Sequence, residues 1–257
     1  MKKAVRQRGL ALYAFCALAF LYLPLLILIA FSFNANRFTV WQGFSLRWYQ
    51  AALHDPQLAS GLANSLIVAF VASVLSTVIG TLAAYGMWRR AAPVLSGMLY
   101  LSLVTPEIVT GVSLLVLFQG VFRFMHFHLG LWSVIIAHVA FSIAYVTLVI
   151  AARLRGYDRT LEEAALDLGA SEWHAFSRVT LPVLAPAIAA AGMLALVVSF
   201  DDYVITSLVA GVDSETLPMV IYAMARRGVS PVVNAVSALI VVGFGVIILI
   251  SQRLQQK

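Results

Sequence analysis

Three carboxylates sit where a membrane makes charge expensive. Glu107 lies in the apolar stretch 95–118, and Asp201 and Asp202 lie in the stretch 186–209. A charge at the centre of a spanning helix costs roughly 2.5–3.5 kcal/mol, so three cost about 8 kcal/mol unless they face water, a cation or a protein partner. Acids at that depth suit a cationic solute. Such a solute needs carboxylates for its charged groups and apolar or aromatic walls for its carbon chain, with cation–π contacts in addition. Phe200 and Tyr203 flank the aspartates, Tyr145 lies in the fourth apolar segment, and Thr110 brings a hydroxyl close to Glu107. We read Glu107, Asp201, Asp202 and Tyr203 as candidates for a solute path or gate. Adjacent helix positions point about 100° apart. Asp201 and Asp202 therefore cannot face one cavity equally, and one of them is free to accept hydrogen bonds from a neighbour. The plainer alternative for the pair is a structural network or a shallow position in the bilayer. His138 reads as a neutral imidazole hydrogen-bonded between helices, and Pro24 as a kink.

These residues need spanning helices to hold them. Of the 257 residues, 62% are hydrophobic and only 11% charged. Soluble domains sit nearer 45–50% apolar with about 25% charged, so the solvent here must be lipid. Six segments of about 20 apolar residues stand out, at roughly 10–33, 64–87, 95–118, 131–152, 186–209 and 232–250. The expectation is an all-α, polytopic membrane protein of one domain, 1–257. The net charge of +6 lies at segment ends, which speaks for orientation in a membrane and against nucleic acid. With the N-terminus inside, twelve Lys and Arg fall on the cytoplasmic side and five on the other. That places both termini and the fourth loop, 153–183, in the cytoplasm. Lys2, Lys3, Arg6 and Arg8 before an apolar run resemble a signal sequence, but the run to Phe33 is too long for one; it is expected to stay as the first helix. Cys16 is the one cysteine, no metal-ligand spacing occurs, and Cys16 reads as a small apolar side chain.

The fourth loop is too long and charged to be bare. Thr160 and Glu163 suggest a capping box. Leu161, Ala164, Ala165 and Leu168 then recur on one face of a short helix. Gly169 can end that helix. Ser171 can cap a second one carrying Trp173 and Phe176 on one side, and Pro182 and Pro186 mark the return to the membrane. The elbow's apolar residues either pack under their own bundle or form a partner surface. After the fifth segment, Thr216-Leu217-Pro218 can open a short helix to Arg227, ended by Gly228. On the outer side it would form part of a gate or a receptor-docking surface.

Glu163-Ala164-Ala165, Gly169 and Val179-Thr180-Leu181-Pro182 resemble the EAA signature of ABC-importer permeases: E-A-A, three residues, G, nine residues, I-x-L-P. The spacing is complete, and Val179 replaces the usual Ile. The resemblance implies the type I ABC-importer permease fold with six transmembrane helices. It also implies a coupling helix in which Glu163, Ala164, Ala165, Gly169, Leu181 and Pro182 serve docking to an ATPase. A second likeness covers nearly the whole chain, to permeases of bacterial putrescine/spermidine importers. It is carried by Leu23-Pro24, Phe31-Ser32-Phe33-Asn34, Arg47-Trp48-Tyr49, Thr105 to Gly111, Glu162 to Gly169, Ser199-Phe200-Asp201-Asp202 and Leu217-Pro218-Met219. Within that family, the second permease of putrescine systems has Asp where this chain has Glu107. The likeness implies a multi-pass protein of the bacterial inner membrane. Its implied partners are an ATPase dimer, a second and different permease, a periplasmic or extracellular binding protein, and lipid.

No G-x-x-x-x-G-K-[ST] phosphate loop is present, so no cofactor is expected on this chain and ATP-Mg belongs to the partner. No catalytic residues are expected. An intramembrane aspartyl protease needs two carboxylates converging from different elements, which neighbours on one helix do not provide. A secondary transporter would need no EAA elbow. The open alternative is an importer permease for another cationic or amino-compound solute.

Overall fold

The computed structural model describes residues 2–36, 40–125, 128–228 and 231–255. Two of the basic residues counted for orientation, Arg37 and Lys257, lie outside them. Among the described residues there are helices and one isolated antiparallel bridge, Asn34 to Phe44, and no strand. The helices run α1 Lys2–Ser32, α2 Arg47–Leu53, α3 Pro56–Arg89, α4 Pro93–Val104, α5 Glu107–Met125, α6 Leu131–Leu154, α7 Thr160–Asp167, α8 Glu172–Ala175, α9 Leu181–Asp201, α10 Val204–Val209, α11 Leu217–Arg226 and α12 Pro231–Gln255. A π-turn, Phe176–Thr180, joins α8 to α9.

Four helical stretches are long and apolar enough to cross a bilayer: Leu10–Ser32, Pro56–Arg89, Leu131–Leu154 and Glu172–Asp201. The expected third span, 95–118, is broken. Pro93–Val104 and Glu107–Val121 meet at a 110° bend, the geometry of a broken span or of a re-entrant loop; taken as one span they are the fifth. The cause is Pro106, which lacks an amide proton and disfavours helix at the residue before it; Thr105 is extended at φ −65°, ψ 129°. The expected fifth span, 186–209, is broken as well. It begins earlier, at Glu172, and ends at Asp201; Asp202 is extended (ψ 125°) before the short α10. The expected sixth span falls within the 25-residue α12.

Packing divides the chain into two compact units. The first comprises Met1–Ala59 with Ile221–Lys257, in which α1, α2 and α12 pack together. Its junction joins two of the sequence stretches singled out above. Trp48 Nε1 donates to the Asn34 carbonyl (2.8 Å), and the Ser32 hydroxyl bonds the Tyr49 hydroxyl (2.6 Å). Asn34 is buried, receives the Gln42 amide (3.0 Å) and donates to the Val40 carbonyl (2.9 Å). A polar side chain at a helix end thereby satisfies the backbone that follows it.

The second unit, Ser60–Val220, is organised around α6. Val134, Ala137, Phe141 and Ala144 recur at helical spacing along its buried face, with Ile150 and Leu154 further on. Towards one end they pack with Val68, Phe118, Ile205 and Val209. Towards the other end, α6 packs with Ala84, Leu184, Ala191 and Ala195. Small residues let membrane helices approach closely. At Gly80 of α3 a Cβ would stand 2.6 Å from Val146 Cγ1 and 3.2 Å from the Thr147 amide nitrogen of α6, so only glycine fits.

Candidate functional site

The two helix breaks converge. Thr105, Glu107 and Thr110 from the α4–α5 bend line one cavity of about 400 Å³, together with Asp201, Asp202 and Tyr203 from the α9–α10 break. Phe141 and Tyr145 of α6 and Val197, Val198 and Ile205 complete its apolar wall. All four candidate path residues therefore meet in one place. The breaks explain part of how acids are tolerated here: Glu107 occupies the first turn of α5, where the helix dipole favours negative charge, and Asp202 precedes α10, whereas Asp201 ends α9, where the dipole opposes it, and relies on its exposure to the cavity.

The two aspartates differ in environment. Asp201 is exposed towards the cavity. Asp202 has a side chain only 6% exposed and is fully engaged. Its Oδ2 accepts from the Thr206 amide (2.8 Å) and the Thr206 hydroxyl (2.8 Å), and its Oδ1 accepts from the Ile205 amide (3.3 Å). It thus satisfies the first free amides of α10. His138, fully buried, approaches the same carboxylate with Nε2 at 3.3 Å. Its Nε2 also lies 2.9 Å from Thr206 Oγ1, and its Nδ1 lies 2.7 Å from Ser199 Oγ. Because the Thr206 hydroxyl gives its one proton to Asp202, the consistent pattern has Nε2–H donating to Thr206 and Nδ1 accepting from Ser199. The reading of His138 as a hydrogen-bonded link between helices holds, and Asp202 is what it links to.

The elbow is built largely as the spacing implied, with one correction. Thr160 does not cap α7. The Asp158 carboxylate does so, accepting from the Thr160 amide (3.0 Å) and hydroxyl (2.8 Å). Those two bonds hold its pKa below the usual carboxylate value. Asp wins because its side chain reaches the free first-turn amide from outside the helix, whereas Thr160 is already helical. Gly169 ends α7 at φ +89°. Its amide reaches the Leu166 carbonyl (2.9 Å), and the Ala170 amide reaches that of Ala165 (3.0 Å). These are the two bonds of a Schellman stop. Ser171 Oγ accepts the His174 amide (3.4 Å) at the start of α8.

Leu161, Leu168 and Trp173 are 48%, 90% and 65% exposed, so the elbow's apolar surface is not covered by its own bundle. Phe176 is buried beneath Trp173, ring centroids 5.7 Å apart. Glu163 and Ala164 are exposed, Ala165 is half-buried, and Leu181 and Pro182 open α9. The π-turn before Pro182 adjusts the helix ahead of a residue that cannot donate.

One functional side chain escapes a reading of the sequence. Glu162, immediately before the EAA triplet, is 2% exposed in an otherwise surface helix. It forms an ion pair with Arg89 and accepts from the Tyr85 hydroxyl (2.8 Å) and the Thr180 hydroxyl (2.9 Å). In the sequence, Arg89 counts only towards orientation. No local pattern pairs the two residues, because they are 73 positions apart.

Comparison with known proteins gives the family and the fold. The family described as "Binding-protein-dependent transport system inner membrane component" matches residues 76–257. The spermidine/putrescine transport system permease protein PotC of Haemophilus influenzae is 38% identical over 249 residues, 95% of either chain. The putrescine transport system permease protein PotI of Escherichia coli is 40% identical over 235 residues, 89% of this chain and 84% of its own. Among solved structures, a chain of a bacterial ABC transporter importing the acidic polysaccharide alginate superposes with a TM-score of 0.69 at 17% identity, covering 99% of this chain and 95% of its own. A chain of an amino acid ABC transporter gives 0.59 at 20% identity, covering 82% and 99%. At such identities the superpositions speak for the fold alone, that of ABC-transporter permeases. The sequence matches reach further, and by them this chain belongs to the binding-protein-dependent transport system inner membrane components.

Proposed function

We propose that this permease subunit carries a polyamine, putrescine or spermidine, into the cytoplasm as half of an ATP-driven importer. The observation that carries the substrate is the cavity of about 400 Å³ in which Glu107 and Asp201 stand exposed among aromatic and aliphatic walls. The carboxylates meet terminal ammonium groups, while Phe141, Val197 and Val198 line the methylenes. Tyr145 and Tyr203 offer ring faces to the cations. Helix ends place the acids without the full cost of mid-helix charge. The names of the relatives PotC and PotI point to the same solutes.

The drive comes from outside the chain. A partner ATPase dimer holds ATP-Mg and docks on the elbow, where Leu161, Leu168 and Trp173 present apolar surface beside the exposed Glu163. A second permease faces this one, and a binding protein delivers solute from the far side. Both termini lie in the cytoplasm, in keeping with the excess of Lys and Arg there.

Uptake of labelled putrescine, with unlabelled spermidine as competitor, tests the substrate in cells with and without this chain, the other components being present. Uptake should vanish without it. Unchanged uptake in a strain lacking other polyamine importers would sink the assignment. Another cationic amine is the second reading, because the cavity reads ammonium groups rather than chain length.

A further inference from the structure

The buried acid of α7 has more partners than anchoring a short helix requires. Glu162 draws its three donors from two places: Tyr85 and Arg89 at the end of α3, and Thr180 at the last residue before α9. Arg89 also donates to Glu172 Oε1 of α8 (3.0 Å). The same helix end is held from α7's N-terminal side, with the Arg159 guanidinium 5.0 Å from the Trp88 ring centroid. The bond to Thr180 reaches the last residue of the π-turn, the residue that directly precedes α9. α7 is therefore tied directly to α9, and α9 is a 21-residue helix whose far end is Asp201 at the cavity. A helix of that length carries a push over about 30 Å.

We propose that Glu162 and Arg89 form the joint that passes displacement of the elbow to α3 and α9, and so to the cavity; Glu163 on the exposed side serves docking alone. This rests on reading the elbow as the ATPase-docking surface. Glu162 and Arg89 are positioning residues, touching neither solute nor nucleotide. The ion pair suits that task because two charged groups held by several directional bonds have one low-energy arrangement, and elements so joined move together.

The test uses the complete complex of both permeases, ATPase and binding protein in proteoliposomes, with Glu162→Gln, Arg89→Met and the double variant. Three quantities are read: ATPase co-purified, ATP hydrolysed when the loaded binding protein is added, and labelled putrescine taken up per ATP. The expected result for Glu162→Gln is a normal amount of ATPase, continued hydrolysis, and uptake per ATP lower by about tenfold. Unchanged uptake per ATP, or uptake falling only in step with the amount of complex, overturns the joint. A single variant leaves one buried charge unpaired and can prevent assembly; the double variant removes both charges and is better tolerated. If only the double variant assembles, the same ratio is read there: a fall supports the joint, and no change overturns it. Docking is tested apart from the joint by Leu168→Glu, which should reduce co-purified ATPase. A normal amount there overturns the docking surface itself, whatever the ratio shows. If the unaltered complex does not move putrescine, the substrate reading fails, and the same uptake-per-ATP ratio is read with the amine that the complex does carry.

Discussion

Two neighbouring aspartates have been separated by their surroundings. Asp201 faces the cavity, whereas Asp202 is spent on Thr206, Ile205 and His138. Asp201→Asn should therefore raise the putrescine concentration needed for half-maximal uptake by about tenfold, the loss of one charge-assisted contact, while leaving the protein's thermal stability in detergent unchanged. Asp202→Asn should do the reverse, lowering the melting temperature first. His138→Ala removes the buried donor to Thr206 beside that carboxylate and should cost about 1–3 kcal/mol, measured by denaturation in mixed micelles. Equal effects of the two aspartate variants on both quantities would contradict the separation. In the structure α9 ends at Asp201 and Asp202 is extended, whereas the sequence, read as two neighbours on one helix, expects only that one faces a cavity more than the other. It cannot say which one, since the answer depends on His138 and Thr206, and the first of these comes from a different helix.

At the level of elements, what is legible follows local rules. The elbow's Gly169 stop, the Ser171 cap and the short helix α11 all depend on neighbours within a turn, and all three are present. The broken spans are less legible. Pro106 announces a kink, yet hydropathy averages over the window that the 110° bend divides. The Glu162–Arg89 pair is invisible for the same reason in reverse, being purely tertiary. Backbone geometry sets two expectations at this scale. Gly169→Ala places a Cβ in the left-handed region at φ +89° and should cost about 1–2 kcal/mol. The elbow angle should shift, seen as less ATPase co-purified with the permease. Gly80→Val drives α3 away from α6, where Val146 Cγ1 already stands 2.6 Å from the built Cβ. Overpacking of that kind costs about 1–3 kcal/mol, and the variant should accumulate poorly in membranes. Normal accumulation would show that α3 and α6 are not so closely packed in the bilayer.

For the whole molecule, the spans are unevenly buried. Of the most apolar window in α6, 56% is buried, whereas the corresponding share is 17% for Glu172–Asp201 and 0% for Leu10–Ser32. Lipid suits α1, whose exposed residues from Leu10 onward are Leu, Ile, Phe, Tyr, Ala, Pro and Cys, without an acid. Lipid does not suit α9 in the same way. That helix leads to Asp201, and its exposed Val197 lines the acidic cavity. A cavity walled on one side, with two exposed carboxylates, would leave a hydrated cation beside acyl chains unless another protein closed it. In the importer proposed above, a companion permease would supply the second wall, and alternating access would be the two halves parting around the solute. A photoreactive amino acid in place of Val197 should cross-link this chain to the companion permease in membranes containing the whole importer. The same probe at Leu18, 54% exposed on α1, should label lipid. Adducts to lipid alone from position 197 would mean that the acidic cavity opens to the bilayer, and the proposed solute path would have to lie elsewhere in the molecule.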